Sequence, residues 1–245
     1  MEAFEVKHRL DLVIRLMDTT TGNAITGKSV QFQKHGERIH FVNKGNGTYI
    51  LMNSDRSDAQ YEIFVDGYEP GTVSVAYGES RKPYQTEDIY LIPTMGKYSL
   101  SDVLTMEGTL EGIESLEAID ITSSDRMISS FDKKKLLISY YGGTDLIEKE
   151  YALFHRETSD FEVFQVRKVV DKASAVIKKP LEMPYTVKDS IVRIVKGKVL
   201  PDNRYLLRIR DDGQKVKYLV RYVVNGMVHF KQVDFRNEEE RKLEA

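Results

Sequence analysis

Leu10-Asp-Leu-Val-Ile-Arg-Leu-Met-Asp18, a threonine turn, and then Gly22-Asn-Ala-Ile-Thr-Gly27-Lys-Ser-Val-Gln-Phe32 decide the fold class of this chain. Leu10, Leu12, Ile14 and Leu16 fall on one side of an extended backbone, with Asp11, Val13, Arg15 and Met17 on the other. A period of two marks a strand with one buried face. Outward from this stretch, Val30 and Phe32 continue an apolar face, Gly36 interrupts it, and Ile39-His-Phe-Val42 resumes it before Lys44-Gly-Asn-Gly47. Asn-Gly is a hairpin signal because both residues tolerate positive φ. After the polar loop Asn53 to Ala59, strands are expected at Tyr61 to Val65, Thr72 to Tyr77 and Tyr84 to Pro93. The expectation for residues 1–95 is an antiparallel β-sandwich, ending near Thr94 to Lys97.

Residues 96–245 read as a second β-rich domain, with a sub-boundary near 180–189 where Pro180 and Pro184 punctuate the chain. Tyr98 to Gly108 suggests one short helical turn capped by Ser101. Ala118 to Thr122, Lys135 to Tyr141, Leu146 to His155 and Phe161 to Val170 carry strand character, although Val166 to Lys179 also fits helical spacing. Farther on, Ser190 to Val195, Arg204 to Arg210, Lys215 to Val224 and Met227 to Phe235 read as four strands of a meander joined by Pro201-Asp-Asn, Asp211-Asp-Gly213 and Asn225-Gly226. The third strand is apolar on both faces, which predicts cover from residues 110–180 on one side and from a neighbouring domain or subunit on the other. The charged tail, 236–245, reads as a helical turn or a frayed end.

Composition narrows function by exclusion. The 245 residues hold 36 lysines and arginines against 38 acids, and a net charge of −2 supplies no field that would gather nucleic acid or an anionic membrane. With no cysteine there is no disulfide, thiolate zinc site or cysteine nucleophile. The first residues lack a secretory pattern, and no apolar run approaches the roughly 18 residues of a membrane span. These features suit a cytoplasmic protein, or part of a particle assembled in the cytoplasm.

Gly22-Asn-Ala-Ile-Thr-Gly27-Lys28-Ser29 satisfies the letters of a phosphate-binding P-loop. That chemistry requires a helix opening at Ser29, whereas Val30 onward alternates as a strand, so nucleotide binding is not expected. The histidines, His8, His35, His40, His155 and His229, include no H-E-x-x-H pair; His35 and His40 alone share a candidate hairpin for a surface metal. No G-x-S-x-G elbow is present. Asp55 and Asp58 lack EF-hand spacing, and Lys133-Lys-Lys135 and Lys178-Lys179 read as solvated faces. Asn46-Gly-Thr48 would be a glycosylation sequon only in a secreted chain. No catalytic, cofactor-binding or metal residue is assigned, and the expectation is that the protein is not an enzyme.

The succession of Val13 to Asp18, Thr21-Gly22, Ile25, Gly27, Gly47, Tyr49, Tyr61, Ile63, Val65 and Gly67-Tyr68 resembles the carboxypeptidase-regulatory-like, or transthyretin-like, β-sandwich domains. The resemblance covers about the first 95 residues. It implies a structural, adhesive or partner-docking module, and it implies that the Gly22 to Gly27 turn redirects one strand into the next. The similar hydroxyisourate hydrolases carry a terminal Y-R-G-S signature; neither Tyr90-Leu-Ile-Pro93 nor the chain end has it. By analogy with components of phage-tail-like contractile assemblies, the expected function is a non-enzymatic structural or docking protein with protein partners, a second copy of itself among the candidates. The alternative is a ligand- or glycan-binding module on a cell surface.

Overall fold

In the computed structural model, residues 8–77, 84–94, 103–122, 126–143, 146–211 and 217–244 are described. The chain divides into two units, Met1–Thr19 with Asn23–Tyr98, and Thr20–Gly22 with Ser99–Ala245.

The first unit grows from β1 (Leu10–Asp18), whose Leu12, Ile14 and Leu16 are fully buried as the alternation requires. It continues through β2 (Val30–Lys34), β3 (Glu37–Ile39), β4 (Val42–Gly45), β5 (Thr48–Met52), β6 (Ala59–Val65), β7 (Gly71–Val75) and β8 (Gln85–Leu91). Two four-stranded sheets result, ordered β4-β5-β1-β8 and β3-β2-β6-β7. Side chains of both sheets meet in one core, Leu12, Ile14, Tyr49 and Leu51 from the first and Phe32, Tyr61, Ile63 and Val73 from the second. That is a β-sandwich. One seam departs from the antiparallel pattern: β1 and β8 run parallel from Leu12 beside Gln85 to Asp18 beside Leu91. A parallel pair needs a long crossover, and here the whole second sheet intervenes in sequence between the partners.

The second unit is also all strands: β9 (Val103–Thr109), β10 (Ile113–Asp120), β11 (Met127–Asp132), β12 (Leu137–Tyr141), β13 (Glu150–His155), β14 (Asp160–Asp171), β15 (Ser174–Ile177), β16 (Ser190–Lys196), β17 (Lys198–Val199), β18 (Arg204–Arg210), β19 (Lys217–Val224) and β20 (Met227–Asp234). Six of them close on themselves in the order β11-β12-β15-β14-β13-β16, the last contact being Met127 beside Ser190. Ile138, Tyr151, Leu153, Phe164, Ala175 and Ile191 pack within one cluster of that ring. From β16 the sheet continues outward through β10 and β19 to β20. A three-stranded sheet, β17-β18-β9, packs on this extension through Met106, Leu207, Ile209, Val220, Tyr222 and Phe235.

Several expectations are corrected. Val103 to Gly108 is strand β9 rather than a helical turn, because Tyr205 to Arg210 of β18 offer it a full ladder; Ser101 lies outside the described residues. Val166 to Lys179 holds no helix: β14 runs to Asp171 and turns back through β15. The proposed meander is not continuous, since β18 joins a different sheet while β19 inserts between β10 and β20. Both faces of β19 are covered as its apolar pattern demands, by β9 and β18 on one side and by Ala152 and Phe161 about Leu219 on the other. No neighbouring domain or subunit is required for that burial. Loop 178–189 joins β15 to β16 inside the second unit, and the tail forms a 3-10 turn, Glu238–Arg241, capped by Asn237. Gly213 and residues 95–97 lie outside the described residues.

Candidate functional site

A cavity of about 490 Å³ opens on the second unit where β14, loop 178–183, β19 and β20 converge. Its apolar wall is built from Phe161, Leu181, Val228 and Phe230, with the Phe161 and Phe230 rings edge to face at 5.6 Å. Phe161 is buried, whereas Phe230 is 38% exposed and Val228 48% exposed. Strand position explains the difference: Phe161 lies on β14, flanked by β15 and β13, and Phe230 on the outermost strand of the sheet.

Most charges near the cavity are already engaged. Glu150, Lys196, Glu117 and Arg221 form a cross-strand ladder over β13, β16, β10 and β19, with Lys196 Nζ 2.6 Å from Glu150 and 3.4 Å from Glu117, and Arg221 Nη1 3.1 Å from Glu117. Burial alone would lower the Lys196 pKa, but the two carboxylates outweigh it and raise it. Glu162 accepts the Glu182 amide at 2.8 Å and the Met183 amide at 3.5 Å, which fastens loop 178–183 to β14. Burial nevertheless pushes its carboxyl pKa upward. Lys178 and Lys179 line the same cavity and make no ion pair among the described residues.

Behind Glu162 lies a buried polar chain. His155 Nδ1 sits 2.9 Å from Asp189 Oδ2, and its Nε2 faces Glu162 Oε1 across 3.8 Å, too far for a hydrogen bond. Asp189 also accepts from the Thr186 and Arg156 amides. An acid beside a histidine resembles part of a hydrolase triad, but the adjacent Ser190 hydroxyl accepts from Arg156 at 2.9 Å rather than meeting the imidazole. His155, Asp189 and Ser190 are buried, so the chain serves to anchor the start of β16.

The residues singled out in the sequence are dispersed. Gly22 and Gly27 both adopt positive φ, and Ser29 leads into β2, so no helix N-terminus faces a phosphate there. His35 is the exposed turn residue between β2 and β3, and among the described residues no three histidine or acidic groups converge as metal ligands. Asp55 bonds Ser57, and Asp58 accepts the Tyr77 amide, so both carboxylates brace loops. His229 stacks on Tyr222 at 5.2 Å. Sequence reasoning passed over Phe230, Val228 and Glu162, whereas Lys178 and Lys179 are exposed, as their reading as a solvated face expects. The available signal was an edge strand that carries Met, Val and Phe within four residues.

No protein-family model matches the chain. No curated protein matches it either. Among solved structures, it is similar to a "putative carbohydrate binding protein" from Bacteroides uniformis ATCC 8492, at 12% identity and a TM-score of 0.27 over 91% of this chain and 97% of that one. It is similar also to the Bacillus anthracis TIE protein, at 11% identity and a TM-score of 0.25 over 91% of this chain and 48% of that one. The I9-I11 tandem of titin aligns at 9% identity and a TM-score of 0.18, over 93% and 96% of the two chains.

Proposed function

We propose that this protein is a non-enzymatic binding module that docks to a protein partner in a larger assembly. The observation that carries the reading is the pair of exposed apolar side chains on β20, Val228 and Phe230, 48% and 38% exposed on the wall of an open cavity. Isolated surface hydrophobes are ordinary, but a contiguous group next to a cavity is characteristic of a contact surface. The N-terminal resemblance to transthyretin-like modules fits the same role, and a phage-tail-like contractile particle assembled in the cytoplasm is one assembly in which such modules work.

Sedimentation of a gently prepared lysate of the producing cell tests this. The wild-type chain is expected in a fraction far heavier than its own 28.2 kDa, and the double variant V228E/F230E in the light fraction, with its melting temperature preserved. Wild-type protein sedimenting as a free chain would overturn the docking reading. A glycan array serves as the contrasting measurement: saturable binding lost in the same variant would favour a carbohydrate ligand.

A further inference from the structure

One edge of β20 is paired and the other is bare. In an antiparallel pair the N–H and C=O of a residue point to the same side, and the side alternates along the strand. Asn225-Gly226 is a two-residue turn, so Val224 and Met227 close the hairpin, and Met227, His229, Lys231 and Val233 bond to β19. Val228, Phe230, Gln232 and Asp234 therefore face outward. Asp234 bears this out, because its amide donates to Glu240 Oε2 at 2.7 Å and its carbonyl accepts the Asn237 amide at 2.9 Å. The C-terminal turn thus covers the last outward position. Beside Val228, Phe230 and Gln232, no strand is present among the described residues.

We propose that this edge takes up an extended segment of a partner protein by strand addition, the segment alternating apolar and polar residues and carrying a carboxylate that reaches Lys178 and Lys179. The proposal rests on the docking reading above and gives its mode. Three features converge on it. Unpaired N–H and C=O groups are a template for another strand. The side chains of the same outward residues, Val228 and Phe230, stand on the cavity side of the sheet, so a partner apolar residue placed beside them enters the cavity. Glu150 and Arg221 are held in the cross-strand ladder and Glu162 by backbone amides; of the remaining lining charges the two lysine ammonium groups outnumber the single Glu182 carboxylate, which favours an acidic residue in the partner.

Other edges among the described residues are shorter or carry charge. β3 is three residues long with Glu37 and Arg38 exposed, β4 has four residues with Lys44 exposed, β7 has five, β17 has two, β8 places Glu87 and Asp88 in its middle, and β9 exposes Glu107. Short or charged edges resist pairing. By contrast, β20 spans eight residues and displays three of the exposed large apolar side chains.

The test is selection from a displayed library of alternating apolar and polar peptides, about eight residues long to match a strand, against the full chain. Selected peptides should converge on an acidic residue near an aromatic or branched one. Binding of the synthetic peptides should fall roughly tenfold or more in K178E/K179E and in Gln232→Pro. Proline at 232 removes an outward N–H that β19 does not use, so the hairpin and melting temperature should survive. N-methylation of alternate peptide amides should abolish binding in one register and spare it in the other. Failure to select any binder, or binders indifferent to Gln232→Pro and to N-methylation, would overturn strand addition. So would a concentration-dependent dimer that Gln232→Pro dissolves, since the occupant would then be a second copy. Sedimentation separates the two claims: a heavy complex that needs Phe230 but tolerates Gln232→Pro retains docking and discards strand addition, whereas peptide binding by a chain that sediments alone does the reverse.

Discussion

The two units use the same raw material, short strands and tight turns, but reach their sheets differently. In the first, three of the six pairings among the described residues are hairpins of consecutive strands, β2 with β3, β4 with β5 and β6 with β7. In the second, the defining contacts are distant: β10 lies beside β16 and β19, β9 beside β18, and the ring closes through Met127 and Ser190. Local pairings are specified by turn residues and alternation, which a sequence displays. Distant pairings are specified by burial and polar satisfaction, which appear only once the chain has folded.

The sharpest way to break this contrast is to remove a distant polar anchor. Asp189 is 2% exposed, and it holds His155 and two backbone amides at the point where β16 closes the ring. Asp189→Ala removes the acceptor of the buried His155 and of two part-buried amides and is expected to cost on the order of 3–5 kcal/mol. Chemical denaturation measures it. A loss under about 1 kcal/mol, the level of an ordinary surface change, would mean that apolar packing alone closes the ring.

The legible and illegible parts of the molecule divide along the same line. Asn46-Gly47 and Asn225-Gly226 were recognisable as hairpins, and their φ values of 49° and 72°, and of 48° and 75°, are the local demand that selects those residue types. Alternation in Ala59–Val65 is perfect, buried at every second residue. Nothing local, however, shows that Arg204–Arg210, beyond its hairpin with β17, pairs with the distant β9 rather than with the following strand β19. The candidate site was hidden for a related reason. Lys178-Lys179 reads as solvated charge, but that it lines a cavity emerges only when β14 and β20 are brought next to it, and the outward parity of Phe230 depends on which edge β19 occupies.

Turns in the first unit supply a graded test of local control. A Cβ on Gly47 would lie 3.0 Å from both the Leu16 and the Ile25 carbonyl oxygens, on a residue whose φ is already 72°. Gly27, at φ 66°, would meet nothing within 4 Å. Gly47→Val is therefore expected to cost about 3 kcal/mol, from backbone strain plus displacement of two strands, and Gly27→Ala about 1 kcal/mol from strain alone. Equal losses in thermal unfolding would show that conformation matters and the close approach does not.

Lys149 probes the second unit through pH. Its sequence setting, Glu148-Lys-Glu150, reads as surface, yet the side chain is buried and donates to the Thr21 carbonyl at 3.2 Å. Burial, with smaller contributions from Arg193 and Arg126, lowers its pKa from 10.5 to about 8. An unfolded chain then holds the proton more tightly than the folded one, so wild-type stability gains as pH rises from about 8 to about 10.5. Lys149→Met lacks that dependence. The stability of the variant relative to wild type should be greatest below pH 8 and should decline by roughly 2–3 kcal/mol by pH 10.5. A constant difference across that window would mean that the folded ammonium is as well solvated as the unfolded one.

The smallest expected effect sharpens the comparison from inside the first unit, where one residue escapes local reading. Asp11 alternates onto the face shared with Val13 and Arg15, which suggests solvent, but it is fully buried. Burial by itself would raise its carboxyl pKa; hydrogen bonds from Arg9 at 2.7 Å, Arg56 at 2.8 Å and the Ser54 amide at 2.7 Å overcome this and hold it at about 2, against 3.8 ordinarily. Two of those donors come from more than 40 positions away, so even the local sandwich contains a distant polar contact. A carboxylate with a depressed folded pKa adds stability above its unfolded value and loses it as pH falls through the folded one. Because both arginines are substantially exposed and screened, the contribution is about 1–2 kcal/mol. Asp11→Asn should therefore be less stable than wild type by that amount at neutral pH, and the two should converge as the pH is lowered from about 4 to about 2. Urea midpoints measured across the acid range decide it. A gap that persists unchanged to pH 2 would assign the role of Asp11 to shape and neutral hydrogen bonding, and would leave the Arg15–Asp88 pair as the distant charged contact of the first unit to set beside Asp189.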